Sequence, residues 1–454
     1  MFKGNEKKPN RHESEHPQHD SLETVREETL TRYEQVLETL KNESIFLSDA
    51  PSRRVPEFGP DEIDIGEVLG VGGFCAVREV KDMRLDPSLS HLQPEFQEDD
   101  DEFRGSETRD YMSLNFLRDQ SSRYAIKRMK QQFDDEKQRH RGMLDLALEA
   151  EYLSHLSHPN IVKMRGALAC ESRVKEPGFY IVLDRLHMTL LEKIEDTWPK
   201  EYKGMVGPFG RLGKDKTTLR MLFLERYVVH IALLSRDFLF YNVLRQQTIY
   251  LHHHHPLTHH ACLRIIFRDL KPENIGFDVR GDVKLFDFGL CKEMPNAANH
   301  TNSSLYKMTA KTGSIPYMAP EVMLGQKYNH KVDVFGFGML LWEMFALKLP
   351  FKGFNRYDFI NKVCKGPKMR PDSVKCPVLT KTIMKECWDD DATKRPEFER
   401  ISTILRCELA DITEDQNNSV RDRTLHMLNR SQNSMRTRNH PDKAFKDVPQ
   451  ERNN

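Results

Sequence analysis

Between Ser21 and Asn42 apolar side chains return every third or fourth position, at Leu30, Tyr33, Val36, Leu37 and Leu40. That period lines one face of an amphipathic helix. The run is too short for a coiled coil, so it predicts a helix docked on a larger domain. SDAPSRRVPEFGPDE, at 48–62, reads as a linker because prolines and polar residues break any period. From residue 61 short β-type runs take over, and IDIGEVLGVGGFCAVREV predicts a strand, a glycine turn and a second strand. A polar insertion over about 81–122, with EFQEDDDEF at its centre, reads as a solvated acidic loop. The strand RYAIKRMK follows, then the helical pattern HRGMLDLALEAEYLSHL, then strands in NIVKMRGAL and GFYIVLDRL. From about 187 to 412 helical patterns dominate, interrupted by a second insertion at about 198–263 that contains YLHHHHPLTHH. The polar tail, 413–454, is predicted to be disordered. A β-rich segment followed by a helix-rich one predicts an α+β chain of two lobes with a ligand cleft between them.

Composition narrows the partners. With 38% hydrophobic residues and a mean hydropathy of −0.66, the 454-residue chain suits a soluble globular protein with polar appendages. Lysine plus arginine balance aspartate plus glutamate, 69 against 69, so no global field favours nucleic acid or a membrane, and neither is expected as a partner. The longest apolar run, VFGFGMLLWEMFALKL, contains Glu343 and is closed by Pro350, which predicts a buried helix. MFKGNEKKPNRHESEHPQHD has charge but no apolar stretch behind it, so no leader is expected. Eight cysteines without paired spacing predict free thiols in a reducing compartment, cytoplasmic or nuclear.

The candidate chemistry gathers in FRDLKPENIGFDVRGDVKLFDFGL, residues 267–290. Ile275–Phe277 and Val283–Phe286 are β-type runs around DVRGD, whose Arg-Gly suits a tight turn. Paired as a hairpin, they set Asn274 beside Asp287, and two adjacent oxygen ligands suit Mg²⁺. Asp269, five positions before Asn274, is placed to accept a proton. Taken singly, each aspartate is more often a turn cap; together, the spacing points to a phosphate site. Upstream, Gly70, Gly72 and Gly73 allow backbone N–H groups to approach phosphate oxygens. Lys127 lies on an apolar strand, where an ammonium needs an anion, and Glu149 in the next helix supplies one.

In order and spacing these segments resemble the eukaryotic protein kinases over about 61–412: GVGGFCAV the glycine loop, YAIK the strand lysine, FRDLKPEN the catalytic loop, DFG the magnesium motif, APE the end of the activation segment. The resemblance implies a bilobal fold with a β-rich N-lobe (61–183) and a helical C-lobe (187–412), binding ATP and Mg²⁺ and acting on a protein substrate. It implies Asp269 as catalytic base, Lys271 near the γ-phosphate, and Lys127 on the α- and β-phosphates paired with Glu149. Asn274 and Asp287 are the implied metal ligands. The nucleotide is expected against Gly70, Gly72, Gly73, Val77 and Ala125, with Leu183 behind the adenine and Asp184 to Leu186 as the hinge. DLKPEN and Ser314 match the serine/threonine form, while DVFGFGMLLWEM and ECWDDDATKRP resemble the tyrosine-kinase-like group, in which Asp333 anchors the catalytic loop and Arg395 pairs with Glu321. Tyrosine as acceptor stays an alternative.

Three departures keep a non-catalytic scaffold open as another. Phe267 stands where the family has histidine; Cys75 takes the third glycine position, as an oxidisable thiol or simply a small residue that fits; and Gly276 replaces an apolar residue under the adenine, an expected affinity loss of about 1 kcal/mol. The histidines at 252–260 offer either a metal site or a surface loop. Arg268 beside Asp269 suggests sensing of activation-segment phosphorylation, with Thr309 or Thr312 the candidate acceptor.

Overall fold

The computed structural model describes residues 17–44, 47, 55–93, 108–133, 135–200, 265–294 and 305–412. The core of the acidic insertion, the histidine run, the C-terminal tail and residues 295–304 of the activation segment therefore lie outside the described residues. The chain divides into two units, Met1–Arg185 with Asp287–Cys291, and Leu186–Phe286 with Lys292–Asn454.

The first unit is built on a six-stranded sheet. In chain order its strands are β1 (Glu57–Phe58), β2 (Ile63–Val71), β3 (Cys75–Met83), β6 (Tyr124–Met129), β7 (Met164–Leu168) and β8 (Tyr180–Asp184), β4 and β5 forming a separate hairpin (Leu117–Arg118, Ser121–Ser122). Their spatial order is β1-β7-β8-β6-β3-β2. β6 is covered on both faces, so it reads as a nearly continuous apolar run around Lys127. The linker reading fails at 57–58, where β1 pairs parallel with β7. Phe58 is fully buried, and Gly166 makes the room: a Cβ there would stand 2.7 Å from the Phe58 ring.

The insertion departs from a solvated loop at both ends. Residues 87–92 form a 3-10 turn and α2 (Arg109–Leu114) buries Met112 completely. The Arg109 guanidinium forms a buried ion pair with Glu62, whose carboxylate also accepts from the backbone N–H groups of Gly59 and Asp86, each at 2.7 Å. A carboxylate withdrawn from water needs such donors, and they tie the insertion to the start of β2.

Two helices complete this unit. α1 (Pro17–Glu43) covers the predicted 21–42, although Val36, placed on its apolar face by spacing, is 39% exposed. α3 (Glu136–His155) starts where the Asp135 side chain accepts from the Lys137 N–H. Leu37 of α1 packs with Ala147 of α3 and with Val174, and Leu30, Tyr33, Leu144 and Leu148 surround them.

The second unit is helical around α4 (Lys331–Ala346), in which every residue from Lys331 to Phe345 is buried. A helix buried all round belongs at the centre of a core, and its few charged residues, Asp333 and Glu343 among them, meet partners there. Among the described residues no helix is long and apolar enough to cross a membrane. α5 (Val378–Cys387) packs on α4, and α6 (Phe398–Ile412) on α5. Arg395, fully buried, holds Glu321 through two bonds of 2.5 and 3.0 Å, the pairing the family resemblance implied. A three-stranded sheet of β9 (Met188–Thr189), β11 (Ile275–Phe277) and β12 (Val283–Leu285) carries the polar segment.

Candidate active site

Within the helical unit, β10 (Ile265–Ile266) delivers the chain to Phe267 and Arg268, whose backbone N–H groups both donate to Asp333 of α4, at 2.9 and 2.8 Å. Phe267 is itself buried. Arg268 adopts a left-handed backbone, φ 67°, which turns the chain so that Asp269 follows. Asp269, 6% exposed, accepts from the Ser314 N–H at 2.8 Å and the Asn274 side-chain amide at 3.0 Å, and the Lys271 ammonium lies 2.7 Å away. Lys271 donates to the Ser314 hydroxyl as well, at 2.9 Å. All three of these partners are donors, and together they fix the carboxylate in direction.

Burial pushes the Asp333 carboxyl up to about 6, against the two N–H groups that favour its charge. Below that pH one of its oxygens turns from acceptor to donor in front of two donors. The two anchoring bonds are therefore expected to loosen on the acid side of about pH 6, and in Asp333→Asn at every pH, read as faster hydrogen exchange of the Phe267 and Arg268 amides. Stability runs the other way. A folded value above the unfolded one adds stability at low pH, and that contribution disappears as pH rises through the ordinary carboxylate range to about 6.

β11 and β12 pair antiparallel in the register Ile275↔Leu285, Gly276↔Lys284, Phe277↔Val283. The turn closes through Asp278, whose carboxylate accepts from Arg280 and Asp282, while Gly281 takes the positive φ of 81°. At the open end Phe286 N–H donates to the Asn274 carbonyl at 3.1 Å. The Asn274 amide nitrogen serves Asp269, which aims hydrogen-bond donation inward and leaves the amide oxygen as the group with ligand character.

Gly276 does not leave the gap that an absent apolar side chain implies. A Cβ there would stand 2.6 Å from Leu186 Cδ1 and 3.2 Å from the Phe286 ring, so Leu186 and Phe286 already fill the space. Gly276→Ala is accordingly expected to push the Leu186 side-chain end aside and to destabilise by about 1 kcal/mol or less, measured by urea unfolding.

In the sheet unit, Lys127 Nζ lies 2.6 Å from Glu149 Oε2 and 2.9 Å from Asp287 Oδ1. Burial opposes the ammonium, yet the Asp287 and Glu149 carboxylates together hold it above the ordinary lysine value, firmly protonated. Asp287 has a left-handed backbone, φ 68° and ψ 70°, a conformation aspartate tolerates better than most residues. Gly72 N–H bonds to the Cys75 carbonyl at 2.8 Å, and around Gly70 and Gly73 the space a side chain would occupy is open. Val77 pairs with both Gly70 and Lys127, and Ala125, buried, sits between Glu79 and Leu183 in the sheet. The Cys75 thiol is pushed up to about 12 by burial and lies 3.8 Å from Met129 Sδ. The half-buried thiol packs against Met129, and its raised pKa favours the reading of a small residue that fits.

The structure thus brings Lys127, Glu149 and Asp287 together in one unit, and Asp269, Lys271 and Asn274 together in the other. Two arrangements escaped sequence reasoning. Arg165 clamps Asp184 through both oxygens, at 2.7 and 2.9 Å. The Tyr317 hydroxyl donates to Glu343 at 2.5 Å, where burial raises the glutamate to about 8. Neither pair has a local signal, because the partners lie on separate elements. Of the candidate acceptors, Thr312 is buried with its hydroxyl against the Thr309 and Ala310 carbonyls, whereas Thr309 is exposed.

Residues 112–405 match the family model described as protein tyrosine and serine/threonine kinase. Serine/threonine-protein kinase VIK of Arabidopsis thaliana is 32% identical over 256 residues, 56% of this chain and 48% of that protein. Dual specificity protein kinase shkE of Dictyostelium discoideum is 33% identical over 153 residues, 34% of this chain and 21% of its own. The chain spans less than half the length of the first curated relatives it matches.

Proposed function

Since the chain belongs to the protein tyrosine and serine/threonine kinase family, we propose that it transfers the γ-phosphoryl group of ATP to serine and threonine hydroxyls of a protein substrate. One observation carries the reading: a buried carboxylate, Asp269, ringed by the donors of Lys271, Asn274 and Ser314. So fixed, it accepts a hydrogen bond from the acceptor hydroxyl and takes its proton as the phosphoryl group arrives. Lys271 adds positive charge beside that reacting centre, and Lys127, kept protonated by Glu149 and Asp287, faces the nucleotide phosphates.

The oxygen donors of Asn274 and Asp287 fit Mg²⁺ and not a softer metal. Each is a candidate ligand within its own unit, and the ion, when bound, would neutralise charge on phosphate oxygens. Among the described residues no group of three or more histidine, cysteine, aspartate or glutamate side chains forms a further metal site. DLKPEN supports the serine/threonine form, and DVFGFGMLLWEM with ECWDDDATKRP supports placement in the tyrosine-kinase-like group. A cytoplasmic or nuclear setting is part of the same reading, supported by eight cysteines without paired spacing.

The test incubates the protein with labelled ATP, Mg²⁺ and a mixed protein substrate, then separates the phosphoamino acids. Phosphoserine and phosphothreonine are expected. Label on tyrosine alone would overturn the acceptor assignment, and no label at all would overturn the activity.

A further inference from the structure

α3 is gripped from two sides. Asp145 and Glu149, four residues apart, share one face. There Glu149 reaches Lys127, and a Cβ on Gly289 would stand 3.2 Å from the Asp145 carbonyl, so the helix bears closely on residues 287–291. Leu144, Ala147, Leu148 and Glu151 share another face, about a third of a turn round the helix. α1 covers that second face. Leu37, 7% exposed, packs on Ala147, with Leu30 and Tyr33 beside it and Val174 closing the cluster.

Ion pairs bracket the apolar contact. Lys41 lies 2.8 Å from Glu151, which Arg173 also holds at 2.5 Å, and Glu34 lies 2.6 Å from Lys175. Since α1 is amphipathic, it draws its stability from this docking, and α3 is set in place in return.

We propose that α1 is a built-in positioning element for the nucleotide site: Leu37, with Glu34 and Lys41, holds α3 at the depth and rotation that bring Glu149 to Lys127. The inference rests on the reading of Lys127 and Glu149 as nucleotide-orienting residues. Its physical basis is steep distance dependence, for a misplacement of about 1 Å at a reacting centre lowers a rate about 100-fold. Leu37 touches no reacting group and acts only through α3.

The test uses the full chain. Leu37→Asp puts a charge into the apolar cluster. Its rate is expected to drop about tenfold, within the range of couplings between separate elements, through a higher KM for ATP and a lower kcat. The KM for protein substrate should stay constant and hydrogen exchange of the α3 amides quicken, while Leu37→Met keeps wild-type behaviour. A second pair guards against a variant that merely fails to fold. Glu34→Lys sets two ammonium groups together and should repeat the loss in smaller measure, and Glu34→Lys with Lys175→Glu should restore it.

Wild-type kinetics and exchange in both Leu37→Asp and Glu34→Lys overturn the inference, as does a charge swap that restores nothing. A wild-type protein that transfers no phosphoryl group defeats the kinase reading separately. In that case α3 exchange still decides the positioning role, faster exchange in Leu37→Asp supporting it and unchanged exchange overturning it.

Discussion

Asp269→Asn is expected to lower phosphoryl transfer by about 1,000-fold, the scale of a lost general base, with little change in the KM for ATP. The argument is one of donors. Lys271, the Asn274 amide and the Ser314 N–H all point at the Asp269 oxygens, within 2.7 to 3.0 Å. An asparagine brings an NH₂ group into that ring, so one donor meets another and the side chain turns or the ring loosens. It also lacks the charge that draws the proton. Steady-state kinetics with ATP and a peptide substrate check both halves: kcat falls, while nucleotide binding, measured by titration, persists. A variant with wild-type kcat would remove Asp269 from the reaction.

Lys127→Met is expected to remove activity and also to destabilise the fold by about 3–5 kcal/mol, the range for breaking a buried ion pair from one side. Glu149 has a side chain only 2% exposed, so without the ammonium at 2.6 Å its charge has lost its counter-charge. Asp287, with a side chain 44% exposed, keeps access to water and contributes little to that loss. The double variant Lys127→Met/Glu149→Met should recover most of the stability, since two apolar side chains replace the pair, while transfer stays absent. Urea unfolding alongside a transfer assay separates the two effects. A double variant as unstable as the single one would show that the cost lies elsewhere.

Much of the chemistry was legible because it is local. The hairpin of β11 and β12 follows from two β-type runs and a glycine at the one turn position with positive φ, and its register places the Asn274 carbonyl against Phe286. Lys127 was recognisable from its apolar neighbours, because a buried ammonium demands an anion wherever it falls. The places where reading failed are those settled at a distance. Phe58 looked like linker, and it is a strand because Gly166, more than a hundred positions on, leaves room for its ring. Arg109 looked like part of a solvated insertion, and it is buried because Glu62 requires a partner. Gly276 looked like a deficit, and it is filled by Leu186.

By itself, then, the amino-acid order pointed to the candidate reacting groups, to most of the strands and helices that carry them, and to the family the chain belongs to. Those depend on spacing over a few residues and on the charge and shape of single side chains. Only the tertiary structure decided which donors surround Asp269, that the Cys75 thiol lies against Met129, that Thr309 is exposed while Thr312 is not, and that α1 bears on the back of α3. Each of these depends on what is packed against a residue from elsewhere in the chain, and burial, hydrogen bonding and electrostatic shifts exist only once those neighbours are in place.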